Sequence, residues 1–432
     1  MRKTSLGKKA LILCITLVFA LGVSGCGDAG AKTMLALNKE YAALQVVEQT
    51  GEVSLEVSLS DAVYELLGEY RPTLEQFLGM FENMSYASKS DARNMTVDFT
   101  LNNRGGELMR VILDTPGSAY YIDMLGYLRQ IDAIIEQIDN LGEVPKLEDD
   151  LQGNQWIQID MGESTQNALS AFSADQVALV NDVLADYLAG LEDAVFADFD
   201  SGLVKDISGG FEFKITYEQV GPYILAIGTY TLEHLDAFGA YTKTFLQGMT
   251  GEQLAVFNLT EEDRDEAVSE IDAAVTAAKE NKAAFENYLA MAASYVQMPD
   301  VAKLLGGSYI SLSLVKKGAT FTVAYDILIN ANFDGTSFAS TMGMDFGSNS
   351  LRMTATDNAK EISGFTLEVP TAGVINAEDT EYFSGSGDIM ESFFNGLAYG
   401  YGGYGYDPYG YGYDEDFSTE DWEDWEEWEL EG

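Results

Sequence analysis

Residues 52–60 alternate strictly, with Val53, Leu55, Val57 and Leu59 on one side, and period-two alternation predicts a half-buried strand. Residues 94–101 alternate again (Met95, Val97, Phe99, Leu101), 108–113 and 119–122 continue as strands, and 156–159 reads as a further short strand. Asn102-Asn103-Arg104-Gly105-Gly106 and Pro116-Gly117 supply turn chemistry between these runs, so they read as a hairpin meander. Residues 203–217 read as a strand broken at Gly209-Gly210. Toward the C-terminus, 309–315, 320–328, 338–346, 351–356 and 365–369 are strand-like, with turns at Lys317-Gly318 and Asp334-Gly335.

Helical spacing alternates with these runs. Residues 33–49 fit a helix or a loose lead-in. From Pro72 onward, Leu74, Phe77, Leu78 and Phe81 share one face. Leu125, Leu128, Ile131, Ile135 and Ile138 do the same, and 168–196 is helical by period. Residues 224–249 fit helix or strand. Thr260 is placed to cap a long helix with Asp263 in a capping box, and that helix stops before Pro299. The pattern predicts an α+β fold: a large curved antiparallel sheet of about eleven strands, a half-barrel wrapping or packed on helices, with a helical middle over about 218–300. The domain reading is 1–25 signal, 26–50 tether and lead-in, 51–384 folded body and 385–432 tail.

The two ends are biased. Arg2, Lys3, Lys8 and Lys9 precede an apolar run over 10–20, too short to span a bilayer, which takes about 20 residues. Val23-Ser24-Gly25-Cys26 follows and resembles the lipobox of bacterial lipoproteins. The resemblance implies cleavage before Cys26, a covalent diacylglycerol on its sulfur, and stable anchoring on the extracytoplasmic face of a cell membrane. The other cysteine, Cys14, leaves with the signal, so the mature chain is expected to hold no disulfide and no cofactor beyond that lipid. At the other end, 397–413 is a tyrosine-glycine repeat. Residues 414–432 are acidic, with Trp422, Trp425 and Trp428 spaced to share a helix face. That tail is expected to be disordered and is the candidate contact for an envelope protein or wall polymer.

Formal charge is −46, and loss of the basic signal makes the mature chain more negative still. So acidic a chain has no basic face for nucleic acid. His234 is the sole histidine, which excludes a histidine-based zinc site and leaves no Cys-His pair in the mature chain. It reads as a partly exposed helix residue. Asp198-Phe199-Asp200-Ser201-Gly202 starts like a calcium loop but lacks the terminal glutamate. Carboxylates fall mainly on polar faces, so the expectation is a protein that is not an enzyme and has no metal.

The stretch 75–160, with Tyr120-Tyr121-Ile122-Asp123 and Gln155-Trp156-Ile157-Gln158-Ile159-Asp160, resembles the LolA-like lipoprotein-carrier half-barrel family. That resemblance implies a sheet-helix cavity holding a lipid or acyl chain, although the helical middle is longer here than in the family pattern. Met80, Met84, Met109, Met124, Trp156, Met342 and Met344 are the candidate lining, since thioethers adapt to varied apolar shapes. The alternative is a structural or adaptor lipoprotein with a filled core, meeting its partner through the tail.

Overall fold

Each alternating run needs a neighbour for its backbone N–H and C=O groups, and in this chain nearly all of them find it in a single sheet. The computed structural model describes residues 30–135, 147–162, 174–257, 259–342, 346–381 and 383. Helix α1 (Ala31–Ala42) leads into β1 (Val46–Ser58), followed by α2 (Asp61–Leu67) and α3 (Arg71–Gly79). A meander follows: β2 (Met84–Asp91), β3 (Thr96–Asn103), β4 (Gly106–Asp114) and β5 (Ala119–Asp123). Helix α4 (Leu125–Ile135) precedes β6 (Trp156–Asp160), and α5 (Ala174–Leu191) carries the chain on to the hairpin β7 (Val204–Ile207) and β8 (Gly210–Thr216). The helical middle comprises α6 (Tyr217–Glu233), α7 (Leu235–Gly248), α8 (Gly251–Ala255), α9 (Glu261–Glu280), α10 (Lys282–Val296) and α11 (Pro299–Leu305). The chain closes with β9 (Tyr309–Lys317), β10 (Thr320–Asn332), α12 (Ser337–Met342), β11 (Ser348–Glu361) and β12 (Val374–Asn376).

The strands form one open, twelve-stranded sheet in the order β12-β6-β5-β4-β3-β2-β1-β11-β10-β9-β8-β7. Every pairing is antiparallel except β12 on β6. The N-terminal meander and the C-terminal strands meet in the middle, where β1 pairs with β11 from Val47↔Glu361 to Ser58↔Ser350. The fold is therefore α+β with a sheet that does not close into a barrel. Among the described residues no helix is long and apolar enough to cross a membrane.

Several expectations change in detail. Of the span 338–346, read as a strand, residues 338–342 instead belong to α12, because Phe338 and Met342 have helical spacing and the Thr336 hydroxyl accepts the Ala339 N–H at 3.3 Å as a cap. The lead-in over 33–49 divides at residue 43: the helix ends at Ala42 and β1 has begun by Val46. The long helix after Thr260 breaks at Asn281. Strand β2 was not foreseen, since Ser88 and Ser90 occupy its inward positions.

Residues 365–369 have the exposure alternation of a strand but no ladder partner. Phe365, Leu367 and Val369 are half-buried, whereas Thr366 and Glu368 are exposed. The chain must pass from the end of β11 to β12, seven strand positions away, using residues 362–373. Seven steps of sheet are roughly 34 Å, and twelve residues reach at most about 40 Å. The segment therefore crosses the sheet as a strap, and Glu368 comes near enough to Arg110 on β4 for its charge to act there. Period two arises here from lying on a sheet, not from pairing within it.

Candidate functional site

Strand β1 divides cleanly by parity: Val47, Gln49, Gly51, Val53, Leu55 and Val57 point one way, Glu48, Thr50, Glu52, Ser54, Glu56 and Ser58 the other. Directly opposed residues share a face, so the register carries this division across the sheet. Val53 opposes Met84 and Ala355, Ala355 opposes Tyr325, Tyr325 opposes Leu312, and Leu312 opposes Phe213. One face is thus apolar over most of its width. The other carries groups such as Asp326 and Arg352, paired through two contacts of 3.1 Å.

Among the described residues, the buried clusters between helices and the apolar face lie at its two sides. On one side Phe211, Phe213, Leu314, Phe321 and Val323 are buried with Met34 of α1, Leu191 of α5, Ile227 of α6 and Phe238 of α7. On the other, Tyr120, Ile157 and Ile159 are buried with Leu128 of α4 and Leu151. Neither cluster takes in Val53, Leu55, Met84, Tyr86, Phe99 or Leu101, which are half-buried. Toward one end of the same face Ile310 is 47% exposed, Tyr325 41%, Ile329 46% and Leu351 38%. These four lie on three adjacent strands, and Ile329 directly opposes Leu351. Contiguous exposed apolar surfaces are uncommon on folded proteins and are where binding sites are often found.

A polar cluster lies at the border of that surface. Asp357, on the apolar parity of β11, is only 8% exposed. The Tyr41 hydroxyl of α1 donates to its Oδ2 at 3.2 Å, and Gln49 Nε2 donates to the same oxygen at 3.3 Å and to the Tyr41 hydroxyl at 3.2 Å. Ser88 in turn donates to Gln49 Oε1 at 3.2 Å. Burial, then the Asp357 charge, pushes the Tyr41 phenol up to about 12. Burial and the same carboxylate raise Tyr86 as well, and Tyr325 lies close enough to act on both phenols. Tyr41 and Tyr86 therefore both reach one carboxylate and stay protonated at neutral pH, with Tyr325 beside them. Among the described residues, Asp357 Oδ1 is buried with no hydrogen-bond partner.

The anticipated lining residues are divided by this geometry. Met84 on β2 and Met109 on β4 share the apolar face. Met80 is buried and lines a separate cleft of about 260 Å³ with Gln76, Asn103, Arg104, Arg129 and Ile134. Met124 packs on the second core cluster. Trp156 is on the opposite face, where the Arg110 guanidinium stands 5.7 Å from its ring centre, because it pairs with Asp123 rather than with Ile122. Met342 ends α12; its side chain and Met344 lie outside the described residues, as do Val23, Ser24, Gly25, Cys26, Trp422, Trp425 and Trp428.

Other features have local explanations. His234 sits at the junction of α6 and α7, its ring stacked on Tyr230 at 4.0 Å and Nδ1 2.8 Å from the Tyr230 carbonyl. Asp200 accepts the Gly202 N–H at 2.9 Å and so closes its own turn. A second cleft of about 240 Å³, lined by Leu44, Ala92, Met95, Val97, Leu113 and Ala178, separates α1 and α5 from β3 and β4. Helix α10 presents a further exposed stripe of Phe285, Tyr288, Met291, Tyr295 and the adjoining Met298.

Sequence reasoning did not single out Tyr41, Gln49, Tyr86, Tyr325 or Asp357. One signal was present: extending the strand over 351–356 by five residues puts a charged side chain between Ala355 and Ala359, on the parity that should be apolar. Compared with known proteins, the chain matches no family model, no curated protein and no solved structure.

Proposed function

We propose that this chain is a non-catalytic lipoprotein, held on the extracytoplasmic face of a membrane by diacylglycerol on Cys26, that binds a lipid or other amphiphile along the uncovered part of its apolar sheet face. The observation that carries the reading is the exposure of Ile310, Tyr325, Ile329 and Leu351 side by side on β9, β10 and β11. Both clefts, at about 260 and 240 Å³, fall below the roughly 300–1,000 Å³ of an ordinary ligand pocket. Neither of these two clefts competes with the open face as the ligand's place in this reading. The lipobox-like end and the half-barrel resemblance of 75–160 support the same reading.

A second reading, an adaptor that meets an envelope partner, is favoured by the α10 stripe and by the acidic Trp422, Trp425 and Trp428 segment. The deciding experiment is native mass spectrometry of the exported Cys26→Ser chain, which carries no lipid of its own, before and after lipid extraction. A bound mass of lipid size that extraction removes is expected. A single apo mass that persists after incubation with phospholipid vesicles overturns the proposal and favours the adaptor.

A further inference from the structure

Asp357 is an unusual residue to find on an apolar face. A buried carboxylate is costly unless its oxygens are satisfied and its charge is balanced. Oδ2 is satisfied twice, by Tyr41 and Gln49, and the Tyr86 hydroxyl also approaches the carboxylate, while Oδ1 has no hydrogen-bond partner among the described residues. Among the described residues no cation pairs with it. The nearest basic residue on its own strand, Lys360, pairs at 2.7 Å with Glu48 on the opposite face, and Lys89 of β2 stands 3.7 Å from the same glutamate.

The surroundings define what would complete the site. Tyr41 and Tyr86 bring aromatic rings and hydroxyls to the carboxylate, and Tyr325, which acts on both phenols, is exposed, so the cluster is next to solvent at that point. Beyond it, Ala355, Met353 and Leu351 continue along β11, with Tyr325, Ile327 and Ile329 opposite them. Six residues of strand give roughly 20 Å of apolar floor running away from the carboxylate.

We propose that Asp357 is the head-group acceptor of this face: Oδ1 takes an N–H from the protonated amine of an amphiphile whose alkyl chain lies along Ile327, Ile329, Met353 and Leu351. This rests on the apolar-ligand reading above and adds the chemical class of the head. An ammonium supplies both missing elements, a donor for Oδ1 and a positive charge, and aromatic rings favour it further. A carboxylate or phosphate head would meet the Asp357 charge and is excluded from the site.

The test is calorimetric titration of the full-length protein in mild detergent with octylamine, octanol and octanoate, at high salt so that general attraction to an acidic protein is screened. In the unaltered chain octylamine is expected to bind at least about tenfold more tightly than octanoate. Asp357→Asn is nearly isosteric and should abolish that preference while leaving octanol unchanged. If that variant loses its fold by circular dichroism, Tyr325→Leu replaces it; octylamine affinity should then fall about threefold with octanol unaffected. Equal binding of all three probes, or a preference that survives the substitution, overturns the head-group assignment and leaves the apolar face intact. Binding of none of the three overturns the apolar-ligand reading and this inference with it.

Discussion

Tyr86 and Asp357 stand two strands apart in one row of the sheet, and the residue between them, Gly51, has no side chain to keep them apart. A Cβ on Gly51 would come within 2.4 Å of Tyr86 Cε1, 2.5 Å of its Cζ and 2.6 Å of the Thr356 carbonyl. The Tyr86 ring thus lies over the backbone of β1, stacked on Phe99 at 5.8 Å, and its hydroxyl is delivered to the carboxylate.

Gly51→Ala should therefore destabilise the protein by about 1–3 kcal/mol, the usual cost of overpacking. The expected check is urea unfolding. Adding Tyr86→Ala should recover part of the loss, since it removes the ring that the new methyl strikes; strictly additive losses would show that the contact is not the cause.

Alkaline pH should weaken the fold in a defined window. The Tyr41 phenol ionises near 10.0 when unfolded and is pushed up to about 12 by burial and the Asp357 charge; Tyr241, raised to about 12 by burial and the Asp186 charge, behaves alike. The native state then holds protons that the unfolded chain has lost, so stability is full below pH 10 and declines as pH rises toward 12. Melting temperature measured across that range should fall, and Tyr41→Phe should make the fall shallower.

Ile329 is 46% exposed, so charging it should cost little stability. Ile329→Lys is expected to leave the melting temperature within a few degrees of its starting value while cutting binding of an apolar fluorescent dye several-fold. Full dye binding in this variant would place the apolar site elsewhere.

Arg110 joins three parts of the polar face. Its guanidinium meets Asp98 of β3 at 2.9 and 2.8 Å, stands over Trp156 of β6, and feels Glu368 of the strap. Both partners are largely shielded from solvent. Arg110→Ala should cost about 1–3 kcal/mol, visible in chemical unfolding. A change below a few tenths would mean that the strap holds without it.

How much of this was legible depends on the range over which each signal acts. The Thr260–Asp263 capping box is local, and the structure has both of its hydrogen bonds, at 2.8 and 3.2 Å. The alternation around Val53, Val97 and Val323 likewise needs only neighbouring residues. The strap at Phe365 to Val369 misleads because burial on one side, not pairing, imposes its period. Strand β2 hides because its inward serines serve a polar cluster: Ser88 contacts Gln49, which contacts Asp357 on the strand beyond. Those partners are 39 and 308 residues apart in sequence, a separation at which periodicity carries no information.

The pairing of β1 with β11 has a consequence for how the molecule is made. Val47 finds Glu361 only after nearly the whole body has been synthesised. Until then β1 is the unpaired margin of a half-sheet, with its hydrogen-bonding groups open to any other extended chain. Closure waits on one of the longest-range contacts in the protein, which makes assembly slow. A chain exported stepwise through a membrane would need that margin shielded in transit, so a long internal seam of the finished sheet is an open edge, exposed to aggregation, while the chain is incomplete.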